Sequence, residues 1–157
     1  MVLALDPGDV KTGWVVYSAK SKLVKAKGIT GNDELLGMIR SGKFKNADLM
    51  AIEIIVSYGA RVGMTTFNTC KWVGKFEEAW TLIEGKPLYE IKRKEVTAHI
   101  CNNPSANDAA VNEALEDRYG GKEIAKGRKT NPGPLFGVDS HMRSALAIGI
   151  TCVETKV

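Results

Sequence analysis

Residues 2–17 read VLALDPGDVKTGWVVY, and this stretch decides the fold. Val2, Leu3, Ala4 and Leu5 form a continuous apolar run, the pattern of a strand covered on both faces. The run ends on Asp6, and Pro7-Gly8 breaks it with strong turn chemistry. After Asp9-Val10-Lys11-Thr12-Gly13, the β-prone run Trp14-Val15-Val16-Tyr17 returns beside the first strand. A carboxylate at the end of a buried strand costs about several kcal/mol if it stays charged without a partner. The usual partner there is a metal ion or a phosphate-bearing ligand. The plainer alternative is that Asp6 caps the Pro-Gly turn.

Outward from this hairpin, residues 23–29 suggest a third antiparallel strand. Asn32 or Asp33 can cap a helix that runs to about Ser41, with Gly42 just past its end. Residues 49–56, LMAIEIIV, form a second strongly buried strand that again carries a single carboxylate, Glu53. An exposed edge position is the alternative explanation for Glu53. Residues 57–66 read as a loop or loose helix start holding Arg61. From Phe67 to Glu84 the spacing predicts a long helix with Phe67, Cys70, Val73, Phe76, Trp80 and Ile83 facing the core. Trp72 and Gly74 lie off that stripe. Residues 87–91 form a short strand, followed by the basic run Lys92-Arg93-Lys94. A brief helix holds Val96, His99 and Ile100. Asn107 or Asp108 caps another that ends at Gly120-Gly121. Residues 122–137, KEIAKGRKTNPGPLFG, show no periodicity and read as a mobile basic loop. A last helix runs from Ser140 towards Val153.

Composition bounds the reading. The 157 residues, 44% hydrophobic, suit one domain over 1–157. No apolar stretch approaches the roughly 20 residues of a membrane span and no leader is expected, so no membrane partner is expected. Cys70, Cys101 and Cys152 are odd in number and widely spaced, which points to a reducing cytoplasm. A net charge of +4 is compatible with a polyanionic partner.

An initial meander followed by strands alternating with helices predicts an α/β fold: a mixed five-stranded sheet flanked by helices. Adjacent strands lie about 4.8 Å apart, so neighbouring strands bring Asp6 and Glu53 close enough to share metal ions. Carboxylates clamping two divalent ions are what two-metal phosphoryl transfer requires.

These residues carry a resemblance. LALDPGDVKTGW resembles the first strand and turn of the RuvC-like Holliday junction resolvases, with Asp6 at the first catalytic acid. AIEIIVSYGARVG and FNTCKWVGKFEEAW are similar to the second acid strand and following helix of phage-type members, with Glu53 at the second acid. RKEVTAHICN, NDAAVNEALEDRYGG and NPGPLFGVDSHMRSALAIGI resemble the same subfamily's C-terminal half. The resemblance implies an RNase H-like fold, a homodimer, Mg²⁺ with Mn²⁺ able to substitute, and nicking of two strands at branched DNA such as four-way junctions, flaps or forks. It also implies a bacterial cell or phage-infected host. One departure stands out: the bacterial members carry an aspartate just before the sequence seen here as Ala145-Leu146-Ala147-Ile148, and this chain has Ser144.

The candidates to complete the acidic site are Asp139, His141 and Asp108. Asp139 precedes the final helix. His141 lies one turn before Ser144 and, in the resemblance, on an acidic ligand position, where an imidazole can bind a metal or take a proton from water. Asp108 ranks lowest, because N-capping accounts for it. Arg61, Lys92, Arg93, Lys94, Lys126, Arg128 and Lys129 are the candidate DNA contacts. Three other readings compete. DPGDVKTG also resembles the phosphate loop of the actin and sugar-kinase ATPases, which need two such domains. An RNA-processing nuclease of the same fold and a non-catalytic binder of branched nucleic acid are the others.

Overall fold

The structure, a computed structural model, describes residues 1–157. Five strands form one mixed sheet in the order β3-β2-β1-β4-β5: β1 (Val2–Asp6), β2 (Lys11–Ser18), β3 (Leu23–Gly31), β4 (Leu49–Ile54) and β5 (Leu88–Lys92). The first three are antiparallel neighbours, whereas β1, β4 and β5 run parallel. The helices are α1 (Asn32–Arg40), α2 (Met64–Ile83), α3 (Arg93–Cys101), α4 (Asp108–Arg118), α5 (Lys122–Lys126) and α6 (His141–Thr155). This is the predicted sheet, and it excludes an edge position for Glu53, because β4 lies between β1 and β5.

The apolar run of β1 is explained by two cores, one on each face. Val2 and Ala4 pack with α6, α3 and α4, while Leu3 and Leu5 pack with α1 and α2. All four are at most 2% exposed, so the hydrophobic effect holds β1 from both sides. α6 is the central helix of the first core and is buried without interruption from Ala145 to Cys152. It lies so close to the sheet that a methyl group on Gly149 would stand 3.1 Å from the Ala4 side chain. None of the helices is long and apolar enough to cross a membrane.

Three local expectations are corrected. In α2, Val73, Phe76 and Trp80 face the core as predicted, joined by Thr69 and Ala79, but Phe67, Cys70 and Ile83 are exposed. The buried face runs through Thr69, Val73, Phe76 and Trp80, so Cys70, next to Thr69, turns to solvent, and Phe67 and Ile83 lie outside the buried span. Asn32 does not cap α1; Gly31 holds that position. The basic segment is not a structureless loop, since α5 is followed by a tight hairpin, β6 (Gly127–Arg128) and β7 (Asn131–Pro132). Ala125 and Leu135 are buried and anchor this segment to the first core.

Candidate active site

Parallel pairing places the two acids together. β1 and β4 are in register from Val2–Leu49 to Leu5–Ile52, and Asp6 and Glu53 are the next residue on each strand. Strand alternation sets Asp6 on the face of Val2 and Ala4, and Glu53 on the face of Leu49 and Ala51, which is the α6 side for both. The turn after Asp6 is held by another residue. Asn32 Nδ2 donates to the Gly8 carbonyl at 2.9 Å, and Thr12 Oγ1 donates to Asn32 Oδ1 at 2.6 Å in a fully buried position. Asp6 therefore does not serve as the cap of the Pro-Gly turn.

Its partner is His141, the first residue of α6, with Nδ1 2.8 Å from Asp6 Oδ2. An ionised carboxylate only accepts hydrogen bonds, so Nδ1 donates, and Nε2 makes no hydrogen bond within the protein. Gly13 makes the contact possible. It pairs with Asp6 across the β1–β2 ladder, and a side chain there would stand 2.5 Å from the backbone and Cβ of His141. The glycine lets the N-terminus of α6 settle onto the end of β1. Ser140, just before it, has φ 47°, a left-handed conformation that costs a serine about 1 kcal/mol or more.

Electrostatics distinguishes the acids. Burial raises the Asp6 pKa, opposed by the hydrogen bond and charge of His141 and then by the Arg93 charge. Glu53 is pushed up to about 7, first by burial and then by the charge of Asp6, with Arg93 opposing. The negative charge of Asp108 raises both. Glu53 Oε2 is buried without a hydrogen-bond partner. No group of three or more His, Cys, Asp or Glu side chains is gathered tightly enough to hold a metal ion. Even so, a buried carboxylate pair with an unpartnered oxygen fits a hard divalent cation, which takes oxygen ligands.

The other predicted residues divide. Asp139 makes no hydrogen bond to either acid; it is exposed and lines a hollow of about 690 Å³ with Glu116, Asp117, Lys122 and Arg143. Arg143 is itself buried and committed, with Nη1 2.8 Å from Glu116. Asp108, ranked lowest from sequence, shares a cleft of about 190 Å³ with His141 and Ser144. Capping does not account for Asp108, because Asn107 is the helix cap, its Oδ1 accepting from Ala110 N at 2.9 Å, and Asp108 pairs instead with Arg93. Arg93 is thus an internal counter-charge as well as part of a basic run. Lys94 Nζ lies 3.7 Å above the Tyr58 ring, an aromatic on the loop following β4. Arg61, Lys92, Lys126, Arg128 and Lys129 are exposed. Sequence reasoning missed the Asn32–Thr12 clasp and the function of Gly13, since both depend on contacts between distant segments.

No protein-family model matches the chain, and no curated protein matches it in sequence. Among solved structures, the fold is similar to that of RuvC from Thermus thermophilus, with a TM-score of 0.66, 20% identity, and coverage of 97% of this chain and 92% of that one. The T. thermophilus RuvC structure in complex with Holliday junction substrate matches with the same values. The likeness is one of fold along nearly the whole chain.

Proposed function

We propose that this protein is a metal-dependent endonuclease that resolves Holliday junctions and related branched DNA. The observation that carries the reading is the buried, partnerless Oε2 of Glu53 beside Asp6, on a fold shared with a RuvC caught on a junction. Asp6, Glu53 and the free Nε2 of His141 would hold Mg²⁺, or Mn²⁺ in its place, which when bound supplies charge to stabilise a phosphodiester transition state and to acidify water. The protein's own groups do the rest. Asp6 fixes the imidazole through Nδ1 and leaves Nε2 available as a lone-pair donor or proton acceptor. Burial holds Glu53 where binding of a cation, rather than solvent, favours its charged form. Arg61, Lys92, Lys94, Lys126, Arg128 and Lys129 meet the phosphates of the arms, so affinity falls steeply with salt.

Paired cuts across a junction call for two sites related by a two-fold axis, and α2 is the proposed dimer surface. Gly74 is exposed, with nothing within 4 Å of where a side chain would stand. If two copies of α2 cross antiparallel at Gly74, Phe67 meets Leu82 and Lys71 meets Glu78. Phe67 and Leu82 are 51% and 74% exposed, so the axis joins apolar to apolar and cation to anion.

The test is cleavage of four-way junctions, flaps, duplexes and structured RNA with Mg²⁺ and with Mn²⁺. Wild type should cut the DNA junction. Asp6→Asn and Glu53→Gln should bind it at least as tightly without cutting, because each keeps its shape and loses negative charge near phosphate. Cleavage within about tenfold of wild type (1.4 kcal/mol) in either variant would overturn the assignment. Binding without cleavage by the wild type under both metals would leave the non-catalytic reading, which Ser144 favours.

A further inference from the structure

The acid missing at position 144 leaves a cleft with a serine where the resemblance places a carboxylate, and the structure supplies one from another helix. Asp108 stands at the start of α4 and lines the cleft that holds Ser144 and His141. The helix does not need it as a cap, since Asn107 fills that position. The carboxylate is 82% exposed and pairs with the Arg93 guanidinium at the start of α3. That guanidinium acts on Asp6 and Glu53 as well, so one positive group serves three carboxylates. An exposed ion pair contributes little to stability and is easily exchanged for a stronger one. Three carboxylates against one guanidinium leave the charge deficit that a divalent cation makes good, and Glu53 Oε2 still lacks a partner.

We infer that Asp108 replaces the absent acid at position 144 as the third carboxylate facing a divalent cation, and that Arg93 is the resident counter-charge which the cation displaces. The inference rests on the nuclease reading above, but it is decided without cleavage. A role for Asp108 confined to the first turn of α4, where any acid favours the helix dipole, makes no demand on Arg93 or Ser144.

The experiment is calorimetric titration of Mn²⁺ into the DNA-free protein, with melting curves recorded to show that each variant folds. Asp108→Asn should weaken binding by at least about tenfold, since each oxygen ligand and its charge tunes the affinity of such sites. Arg93→Gln should tighten it by about threefold or more, because the competing cation is gone. Adding Ser144→Asp to Asp108→Asn should restore affinity to within about threefold of wild type, the same charge reaching the same cleft from α6. If Asp6→Asn abolishes binding while Asp108→Asn binds like wild type, this inference is overturned and the nuclease reading survives. If the wild type itself takes up no Mn²⁺, both fall.

Discussion

The two ends of the first core hold the same residue types to opposite effect. At the C-terminal end of α6, Glu154 accepts from both Arg118 nitrogens at 2.8–2.9 Å and lies 2.6 Å from His99 Nε2. Hydrogen bonding to Arg118, assisted by His99, holds its pKa down to about 2. At the N-terminal end, His141 faces Asp6, but Glu53 has no partner for one oxygen and Arg93 is shared among three acids. One carboxylate between two bases is a structural lock. Three carboxylates around one imidazole and one guanidinium leave an acid under-compensated. Stoichiometry and burial, not residue type, separate them.

The contrast is broken most severely at His141. His141→Ala should lower cleavage at least about a hundredfold, within the range expected for a positioned acid–base group, whereas Asp139→Asn should stay within about threefold. Single-turnover cleavage in Mg²⁺ and Mn²⁺ checks both. Partial rescue of His141→Ala by Mn²⁺ marks a ligand, and its absence marks a base. Equal losses in the two variants would show that the site extends into the hollow holding Asp139.

Stability should respond with opposite signs at the two ends. Glu53 is raised from an ordinary 4.5 to about 7, so the metal-free fold keeps a proton that the unfolded chain releases. Its stability is full below about pH 4.5 and declines as pH rises through 7. Glu53→Gln should therefore be about 1–3 kcal/mol more stable than wild type at pH 8, with the gap closing by pH 4.5. Urea denaturation in chelator at the two pH values measures it; a pH-independent gap would mean that Glu53 is not held protonated.

Glu154 gives the smaller and inverse effect. Its pKa is lowered, so its contribution is present above about pH 4.5 and is lost as pH falls through 2. The cluster is more than a third exposed, and after solvent screening Glu154→Gln should cost only about 1 kcal/mol at pH 7. Thermal melts at pH 7 and pH 3 should show that difference shrinking.

The fold was legible because buried strands announce themselves. LALD and AIEI each place one acid in or at the end of an apolar run, which suits neighbouring interior strands, and the structure pairs them in parallel. The resemblance singled out His141, and its contact with Asp6 depends on a packing of α6 against β1 that spacing alone does not show. Which residue caps α4 was not legible, since Asn107 and Asp108 are both good caps and sequence does not say which side chain turns back onto the helix. The segment 122–137 looked mobile because prolines and glycines hide periodicity, yet Ala125 and Leu135 tie it to the core. Phe67, Cys70 and Ile83 kept helical spacing but are exposed, because the buried face passes through Thr69 rather than Cys70 and ends at Trp80.

Gly13 gives this site a mechanical adjustment that needs no change in any charged group. α6 is fastened to the sheet along its middle, where Gly149 lies against Ala4, and its first residue rests in the space that Gly13 leaves open. A methyl group at position 13 would act as a shim under one end of a beam clamped at its centre. It would lift His141 from Asp6 while leaving both acids, and the core beneath them, in place. Alanine and then serine at that single backbone position form a dimmer for the histidine.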